Sequence, residues 1–270
     1  MRIAFSIIAC ALLACCAIQS PQAGPVGFRL SSGAFNPTTV SGMAAWWAAR
    51  KESFADNDQV GTVTDWTGNG LSLTQSTASK KPLFLAGQKN GLPAFSADGV
   101  DDFLSGGDIL DIGTNSIHYF IVAKFDATNG TRVALSKSVF TAGTGLYDAC
   151  SIYTDAWHVF TELPSGVNNP VTTGTPNTDW HLFEFVVDRN SGFVELWVDG
   201  VQLGTDAIAS GDASNTYRLL MFAYSGNASD TSETFFMQGK IAEVWCWQRL
   251  LTGGERTTLR NGANWLYSIY

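Results

Sequence analysis

The stretch that decides the fold of this chain runs from Trp180 to Leu203 and reads WHLFEFVVDRNSGFVELWVDGVQL. Large apolar and β-branched residues dominate Trp180–Asp188 and Gly192–Val198, and the polar string DRNSG separates the two runs. This pattern is typical of two strands joined by a short loop. The following Asp199–Gly200 supplies the positive-φ positions of a two-residue hairpin turn. The stretch therefore predicts a β-hairpin with a further tight turn behind it.

The two faces of this hairpin follow from the alternation of side chains along a strand. With a four-residue loop, one face carries Phe183, Phe185, Val187, Val194, Leu196 and Val198. The other face carries Leu182, Glu184, Val186, Phe193, Glu195 and Trp197. This second, outward face is too apolar for an ordinary wet surface. We expect it to be covered by another layer or to bind a ligand.

The rest of the chain has the pattern of an all-β protein. Of its 270 residues, 45% are apolar and 27 are glycine, and turn signals separate short apolar runs throughout. One such signal, Asp98–Gly99, predicts a hairpin over Leu92–Leu104. We predict an all-β fold, a single jelly-roll β-sandwich of two curved antiparallel sheets, with one short C-terminal helix. A capping box at Thr252 and Glu255 begins this helix over Glu255–Arg260, and Gly262 is expected to end it.

Charge narrows the classes of partner. The net charge is −8, and the sixteen Lys and Arg residues are dispersed rather than gathered in a basic stripe. This argues against a nucleic-acid partner. A weakly charged acidic surface suits neutral ligands such as sugars.

The first 23 residues differ in composition from the rest. Arg2 precedes the apolar run Ile3–Ile18, which is short for a membrane span and has the length of the core of a secretory signal peptide. Leu12–Cys15 is similar to a bacterial lipoprotein box, so lipidation of Cys15 is an alternative, and an uncleaved anchor is a third. We therefore predict an export segment at 1–23, a linker at 24–37 and one domain at 38–270. The protein is expected to be secreted or at the cell surface, with membrane contact only through the N-terminal segment.

Two cysteines remain after residue 23, Cys150 and Cys246. In an exported protein they predict one disulfide, and the alternative is a pair of buried thiols.

Five segments in order resemble the laminin-G-like branch of the concanavalin A-like lectin/glucanase superfamily. They are SGMAAWWAA, VTDWTGNGLSLTQ, KPLFLAGQKNGLPAFSADGVDDFL, HLFEFVVDRNSGFVELWVDG and GKIAEVWCWQRLLTGGE, and they cover about residues 38–260. The resemblance implies a jelly-roll sandwich. It implies no single function, because such domains occur in adhesins, lectins, enzyme accessory modules and virion proteins.

Candidate ligand-binding residues come from the hairpin and from the looser region before it. Trp197 and Trp157 offer large aromatic faces for stacking on pyranose rings. Tyr153 and His158 flank Trp157, and Glu184 and Glu195 are expected on the outward face with Trp197. Two diagonal carboxylates also fit a glycosidase. However, the Glu-x-Asp-x-x-Glu string of the glucanase branch does not occur in the sequence.

Calcium is a possible cofactor, because it takes several carboxylate and carbonyl oxygens in turns. Two loops carry the candidate ligands Asp65, Asn69, Asp98, Asp101 and Asp102, and the laminin-G-like resemblance implies calcium at a sandwich rim. Asp98 is equally explained by its turn. The three histidines are isolated, which argues against zinc.

The leading hypothesis is an exported, non-enzymatic recognition or adhesion module that binds carbohydrate or another surface ligand. The first alternative is a structural or assembly protein of a virion or cell surface, with protein contacts only. A glycoside hydrolase of the glucanase branch ranks third.

Overall fold

Two eight-stranded antiparallel sheets packed face to face form the core of the computed structural model, which describes residues 35–139, 146–162 and 168–270. The first sheet holds β1 (Met43–Ala48), β4 (Leu83–Lys89), β5 (Leu92–Asp98), β7 (Ile117–Phe125), β12 (Trp180–Asp188), β13 (Phe193–Val198), β14 (Val201–Ala207) and β18 (Gln238–Trp247). The second holds β2 (Thr62–Val63), β3 (Leu73–Thr74), β6 (Leu104–Gly107), β8 (Arg132–Lys137), β9 (Leu146–Tyr153), β10 (Ala156–Glu162), β11 (Asn168–Thr173) and β15 (Leu219–Met221). A separate ribbon pairs β16 (Tyr224–Ser225) with β17 (Glu233–Thr234), and short 3₁₀ helices lie at Pro37–Thr39, Ala49–Lys51 and Ala78–Lys80.

The strands of the first sheet follow the order β14-β13-β12-β7-β18-β5-β4, and β1 also pairs with β18. Those of the second follow β11-β10-β9-β8-β15-β6-β3-β2. The predicted all-β sandwich with one C-terminal helix is confirmed.

The hairpin from Trp180 has the predicted register. Phe185 is the partner of Leu196, and Glu184 is the partner of Trp197, across β12 and β13. The Asp199–Gly200 turn has both residues at positive φ, as the sequence predicted. The face that carries Phe185 lies in the core between the sheets.

The core between the sheets is aromatic and contains a polar link between two tyrosines. The hydroxyl groups of Tyr119 on β7 and Tyr147 on β9 lie 2.9 Å apart, and that of Tyr147 donates to the carbonyl of Leu110 at 3.0 Å. These bonds satisfy buried polar atoms that would otherwise cost stability.

The C-terminal helix, α1 (Gly253–Tyr267), is more than twice as long as predicted. Its capping box at Thr252 and Glu255 is confirmed, but Gly262 does not end it. The ring of Phe35 packs where a side chain at position 262 would lie, so glycine is needed inside the helix for close approach. The helix ends at Tyr267, and the next residue, Ser268, caps it in the left-handed conformation. Because Phe35 packs on α1, the folded domain includes residues assigned to the linker.

The predicted hairpin around Asp98–Gly99 is wrong. β5 pairs in the first sheet and β6 in the second, so the chain crosses between sheets at this turn. The Asp102 carboxylate accepts the N–H of Asp98 at 3.0 Å. This bond closes a local turn in the segment that leaves the sheet.

The predicted export segment at 1–23, with Cys15, and the predicted linker up to residue 34 lie outside the described residues. Within the described residues, no helix has the length and apolar character needed to cross a membrane.

Candidate functional site

The outward face of the β12–β13 hairpin is covered by α1 over most of its length. Leu182 on this face packs in one buried cluster with Leu259, Ala263 and Leu266 of the helix. Removing such apolar side chains from water contributes about 1.5–3 kcal/mol for each large residue. A third layer thus explains the apolar character of this face around Leu182, whereas Phe193, at the far end of the face, is 40% exposed.

Glu184 lies beneath α1 and is 1% exposed. Its two oxygens accept from Arg256 Nε at 2.6 Å and Arg260 Nε at 2.8 Å, and His118 Nε2 lies 2.7 Å from the first of them. Burial acts to raise the pKa of Glu184, but His118 and the two arginines outweigh it and hold the pKa below its ordinary value. Burial lowers the pKa of His118. Glu184 is therefore an ionised anchor for the helix, and its assignment as a ligand-binding residue is wrong.

Trp197 and Glu195 belong to the same network. The guanidinium carbons of Arg256 and Arg260 lie 4.4 and 4.5 Å from the centre of the Trp197 ring. The indole N–H donates to Glu195 at 2.6 Å, and Arg256 lies 3.6 Å from the same carboxylate. Because two cations and a carboxylate already occupy these groups, the structure does not present them as a sugar platform.

The second group of predicted ligand-binding residues, Tyr153, Trp157 and His158, contains two buried residues and one exposed residue. Trp157 is 4% exposed and packs between the sheets, with its ring 4.9 Å from Phe183, so its assignment to a ligand is wrong. His158 is 8% exposed, lies 2.8 Å from the Thr172 hydroxyl, and has its pKa lowered to about 4 by burial. Tyr153 is 48% exposed, and its ring lies 5.1 Å from the His158 ring in a tilted arrangement. Of this group, Tyr153 alone offers a wide aromatic surface to solvent.

The first predicted calcium loop is held together by its own hydrogen bonds. The Asp65 carboxylate accepts the N–H groups of Trp46 at 3.2 Å, Thr67 at 3.0 Å and Leu71 at 3.1 Å. Asn69 donates its side-chain amide to the carbonyl of Ala44 at 2.9 Å. N–H donors surround the Asp65 carboxylate and Asn69 turns its amide nitrogen inward, which argues against calcium at this loop.

The second loop does bring carboxylates together. Asp98, Asp101 and Asp102 have oxygen atoms within 4.8 Å of one another. Burial, opposed by the Asp98 N–H and reinforced by the two neighbouring carboxylates, raises the pKa of Asp102 to about 6. Calcium binding at this loop stays a prediction.

Cys150 and Cys246 are both free buried thiols, so the predicted disulfide is wrong. Cys150 lies on β9 of the second sheet and Cys246 on β18 of the first. Burial raises the pKa of both thiols, which makes them unreactive members of the core.

A pocket that sequence reasoning missed lies at the end of the first sheet. We call it the rim pocket. Its volume is about 370 Å³, and its lining residues are Lys89, Lys124, Thr178, Asp179, Trp180, His181, Asp199 and Ile269.

The rim pocket lies on the outward face of the first sheet. Trp180 alternates with Leu182 and Glu184 along β12, so it belongs to the face that α1 covers. Ile269, two residues beyond the end of the helix, lines the pocket. Trp180 is partly exposed. The outward face is therefore covered along most of the hairpin and open beside Trp180.

Tight turns bring the other groups to the pocket. The Asn90–Gly91 turn after Lys89 has both residues at positive φ, and the Asn90 side chain donates to the Leu266 carbonyl at 2.7 Å. At the next turn, Asp199 accepts from the Leu182 N–H at 2.9 Å and lies 2.7 Å from His181 Nδ1. The lining therefore belongs to the fixed frame of the sheet and helix.

Trp180 begins a strand of apolar residues, a pattern that by itself favours a position in the core. The alternation of the hairpin itself contains the opposite signal, since even-numbered residues from 180 to 186 share the outward face. Thr178 and Asp179, directly before it, are polar and exposed. A tryptophan at the open end of a covered face is a candidate for ligand contact.

Comparisons with known proteins identify the fold only. No protein-family model and no curated protein matches the sequence. Among solved structures, the binding domain of Paraclostridial Mosquitocidal Protein 1 is similar with a TM-score of 0.60 and 9% identity, over 83% of this chain and 52% of that one.

Two further similar structures were solved with a sugar. The botulinum neurotoxin serotype D ligand-binding domain in complex with N-acetylneuraminic acid gives a TM-score of 0.56 at 10% identity, over 82% of this chain and 51% of that one. The Trypanosoma rangeli sialidase in complex with sialic acid gives 0.55 at 12% identity, over 83% and 33%. The chain thus spans about half of these proteins or less. The shared feature is a β-sandwich, and the laminin-G-like assignment stays a prediction.

Proposed function

We propose that this protein is an exported, non-enzymatic module that binds carbohydrate in the rim pocket. The observation that carries the proposal is the combination of groups in one concave site. The partly exposed Trp180 offers an aromatic wall, and Thr178, Asp179 and Lys124 supply hydrogen-bonding groups beside it. Ligand sites combine an apolar surface with a few polar groups in this way, and their volumes begin at about 300 Å³.

The chemistry of a sugar matches this lining. The C–H face of a pyranose ring packs on an indole ring, and its hydroxyl groups both donate and accept hydrogen bonds. Asp179 accepts such bonds, Lys124 donates them and Thr178 does both. Two similar structures were solved with sialic acid, which supports a sugar ligand for this fold without locating a site in this chain.

A binding role is favoured over hydrolysis by the position of the carboxylates. Glu184, the first of the two predicted glycosidase carboxylates, is buried under α1 with its oxygens paired to Arg256 and Arg260. Glycosidase chemistry requires two carboxyl groups that flank a bound sugar. The export segment, the laminin-G-like relationship and calcium at Asp98, Asp101 and Asp102 are further parts of the proposal.

The test is a glycan array probed with the full chain, first with calcium and then with EDTA, followed by affinity measurements on two variants. We expect Trp180→Leu to weaken binding about 3- to 10-fold, the equivalent of one aromatic contact. Leucine keeps an apolar side chain against the neighbouring cluster, and unchanged thermal unfolding checks the fold. The matched variant Tyr153→Leu removes the exposed aromatic ring of the other candidate surface.

Unchanged affinity in Tyr153→Leu together with weakened affinity in Trp180→Leu supports the rim pocket. The opposite pattern assigns binding to the second sheet and contradicts the proposed site. An array on which no glycan binds contradicts the proposed function and favours a structural protein.

A further inference from the structure

We infer that the rim pocket selects saccharides that carry an anionic group, such as a carboxylate or a sulfate, over their neutral counterparts. This inference rests on the proposed function and names its ligand class. It comes from the positions of two lysines that the fold leaves without full charge compensation.

A row of paired residues sets the geometry. Trp180 on β12 is the register partner of Lys124 on β7, and Lys124 is the register partner of Lys240 on β18. Directly opposed residues on neighbouring strands point to the same side of a sheet. The side chains of Trp180 and Lys124 therefore leave the sheet on the same face, and both line the pocket. A sugar stacked on Trp180 would place one of its substituents beside Lys124.

The positive charge of this row exceeds the negative charge available to it. Lys124 lies 3.3 Å from Asp126, but Lys240 bonds to the same carboxylate. Two ammonium groups thus share one carboxylate, and one positive charge remains. At the other side of the pocket, no carboxylate of the described residues lies within ion-pair distance of Lys89. The chain as a whole has a net charge of −8, so such uncompensated lysines stand out.

Two acidic residues, Asp199 and Asp179, also line the pocket, and within the described part of the chain only the Asp179 carboxylate has no partner that holds it in place. One oxygen of Asp199 accepts the Leu182 N–H and the other lies 2.7 Å from His181 Nδ1. His181 Nε2 lies 2.9 Å from the Asn177 side-chain oxygen, so the imidazole is held from both sides. Asp179 is exposed at the edge. A ligand with both an anion and hydroxyl groups would use the lysines and Asp179 together, whereas a simple anion would meet repulsion from Asp179.

The experiment compares neutral sugars with their uronic acids, which differ only at C6. Methyl glycosides of glucose and glucuronic acid, galactose and galacturonic acid, and mannose and mannuronic acid are titrated into the full chain by calorimetry. We expect at least one acid to bind about three- to tenfold more tightly than its neutral partner, as for a partly exposed ion pair with a charged hydrogen bond. The 6-sulfate of the same sugar distinguishes selection by charge from selection for a carboxylate.

The variants Lys89→Met and Lys124→Met are expected to weaken the acid more than the neutral sugar, and so to reduce this preference toward one. Lys80→Met is the matched control, because it removes the same charge from a lysine paired with Glu233 away from the pocket. A rise in salt should weaken the acid more than the neutral sugar.

The inference is overturned if neutral and acidic partners bind equally, or if Lys80→Met reduces the preference as much as Lys89→Met. Equal binding that still depends on Trp180 contradicts this inference and leaves the proposed function standing. Failure of every glycoside to bind contradicts this inference, and together with an array on which no glycan binds it contradicts both.

Discussion

Replacing Glu184 by glutamine tests whether the carboxylate under α1 is a structural anchor or part of a ligand site. The substitution keeps the shape of the side chain and removes its negative charge. His118 remains buried, and Arg256 and Arg260 lose the carboxylate to which both are bonded. We expect the protein to be less stable and its affinity for glycans to be unchanged at temperatures well below unfolding.

The magnitude follows from the exposure of the partners. Removing one member of a fully buried ion pair costs about 3–5 kcal/mol. The side chains of Arg256 and Arg260 keep 15% and 18% of their exposure, and Arg256 can turn to Glu195 at 3.6 Å. We therefore expect about 2–3 kcal/mol at neutral pH, which corresponds to a fall in Tm of roughly 4–12 °C.

The dependence on pH gives a second readout. The pKa of Glu184 is lower in the folded protein than its ordinary value of 4.5. Its contribution is therefore fully present above pH 4.5 and is lost as the pH falls through the folded pKa. The difference between the wild type and Glu184→Gln should accordingly shrink in strong acid.

Urea unfolding followed by tryptophan fluorescence measures the change, with Glu195→Gln as the control. Glu195 makes only the longer contact to Arg256 and a bond from Trp197, so we expect its loss to cost less than about 1 kcal/mol. Equal effects in the two variants would refute the anchor. So would a loss of glycan affinity in Glu184→Gln with unchanged stability.

Two further predictions concern stability. Burial lowers the pKa of His158 from 6.5 to about 4, so the stability that the neutral imidazole contributes is present above pH 6.5 and is lost as the pH falls. Between pH 8 and pH 5 we expect this loss to lower the free energy of unfolding by about 2 kcal/mol. His158→Gln should remove that part of the acid sensitivity in urea titrations. Gly262→Ala should lower the unfolding free energy by about 1–3 kcal/mol, because the new Cβ would lie 2.2 Å from the Phe35 ring. Gly254 lies in the first turn of α1 with open space where a Cβ would be, so Gly254→Ala should be neutral or stabilising. A destabilised Gly254→Ala would contradict the packing explanation.

Local features of the sequence predicted local structure well. The register of β12 and β13, the Asp199–Gly200 turn and the capping box of α1 each depend on residues close in sequence, and each is confirmed. The length of α1 was not predictable in this way, because a glycine near the end of a helical pattern usually marks the helix end. Gly262 instead lies inside the helix, where the absence of a side chain makes room for the ring of Phe35. Phe35 is more than 200 residues away in sequence.

Pairing between distant strands was harder to predict for the same reason. The Asp98–Gly99 turn has the local sequence of a hairpin, yet the strands on its two sides lie in different sheets. A turn sequence predicts that the chain reverses direction, but it does not predict which sheet the next strand joins. The three-carboxylate cluster at Asp98, Asp101 and Asp102 is a product of this crossing.

The candidate site depends on where the helix stops. The outward face of the hairpin was predicted to be covered by another layer or to bind a ligand. In the structure α1 covers one part of this face and leaves the part beside Trp180 open. Glu184 and Trp197 lie under the helix and are engaged by its arginines, whereas Trp180 lies on the same face beside the residues that follow the helix. Strand alternation assigns Trp180 and Glu184 to one face, but only tertiary packing separates the buried anchor from the accessible ring. A shorter helix, as the sequence predicted, would have left Trp180 as one aromatic group on a broad open surface; the longer helix, with Ile269 after it, makes that ring one wall of a pocket.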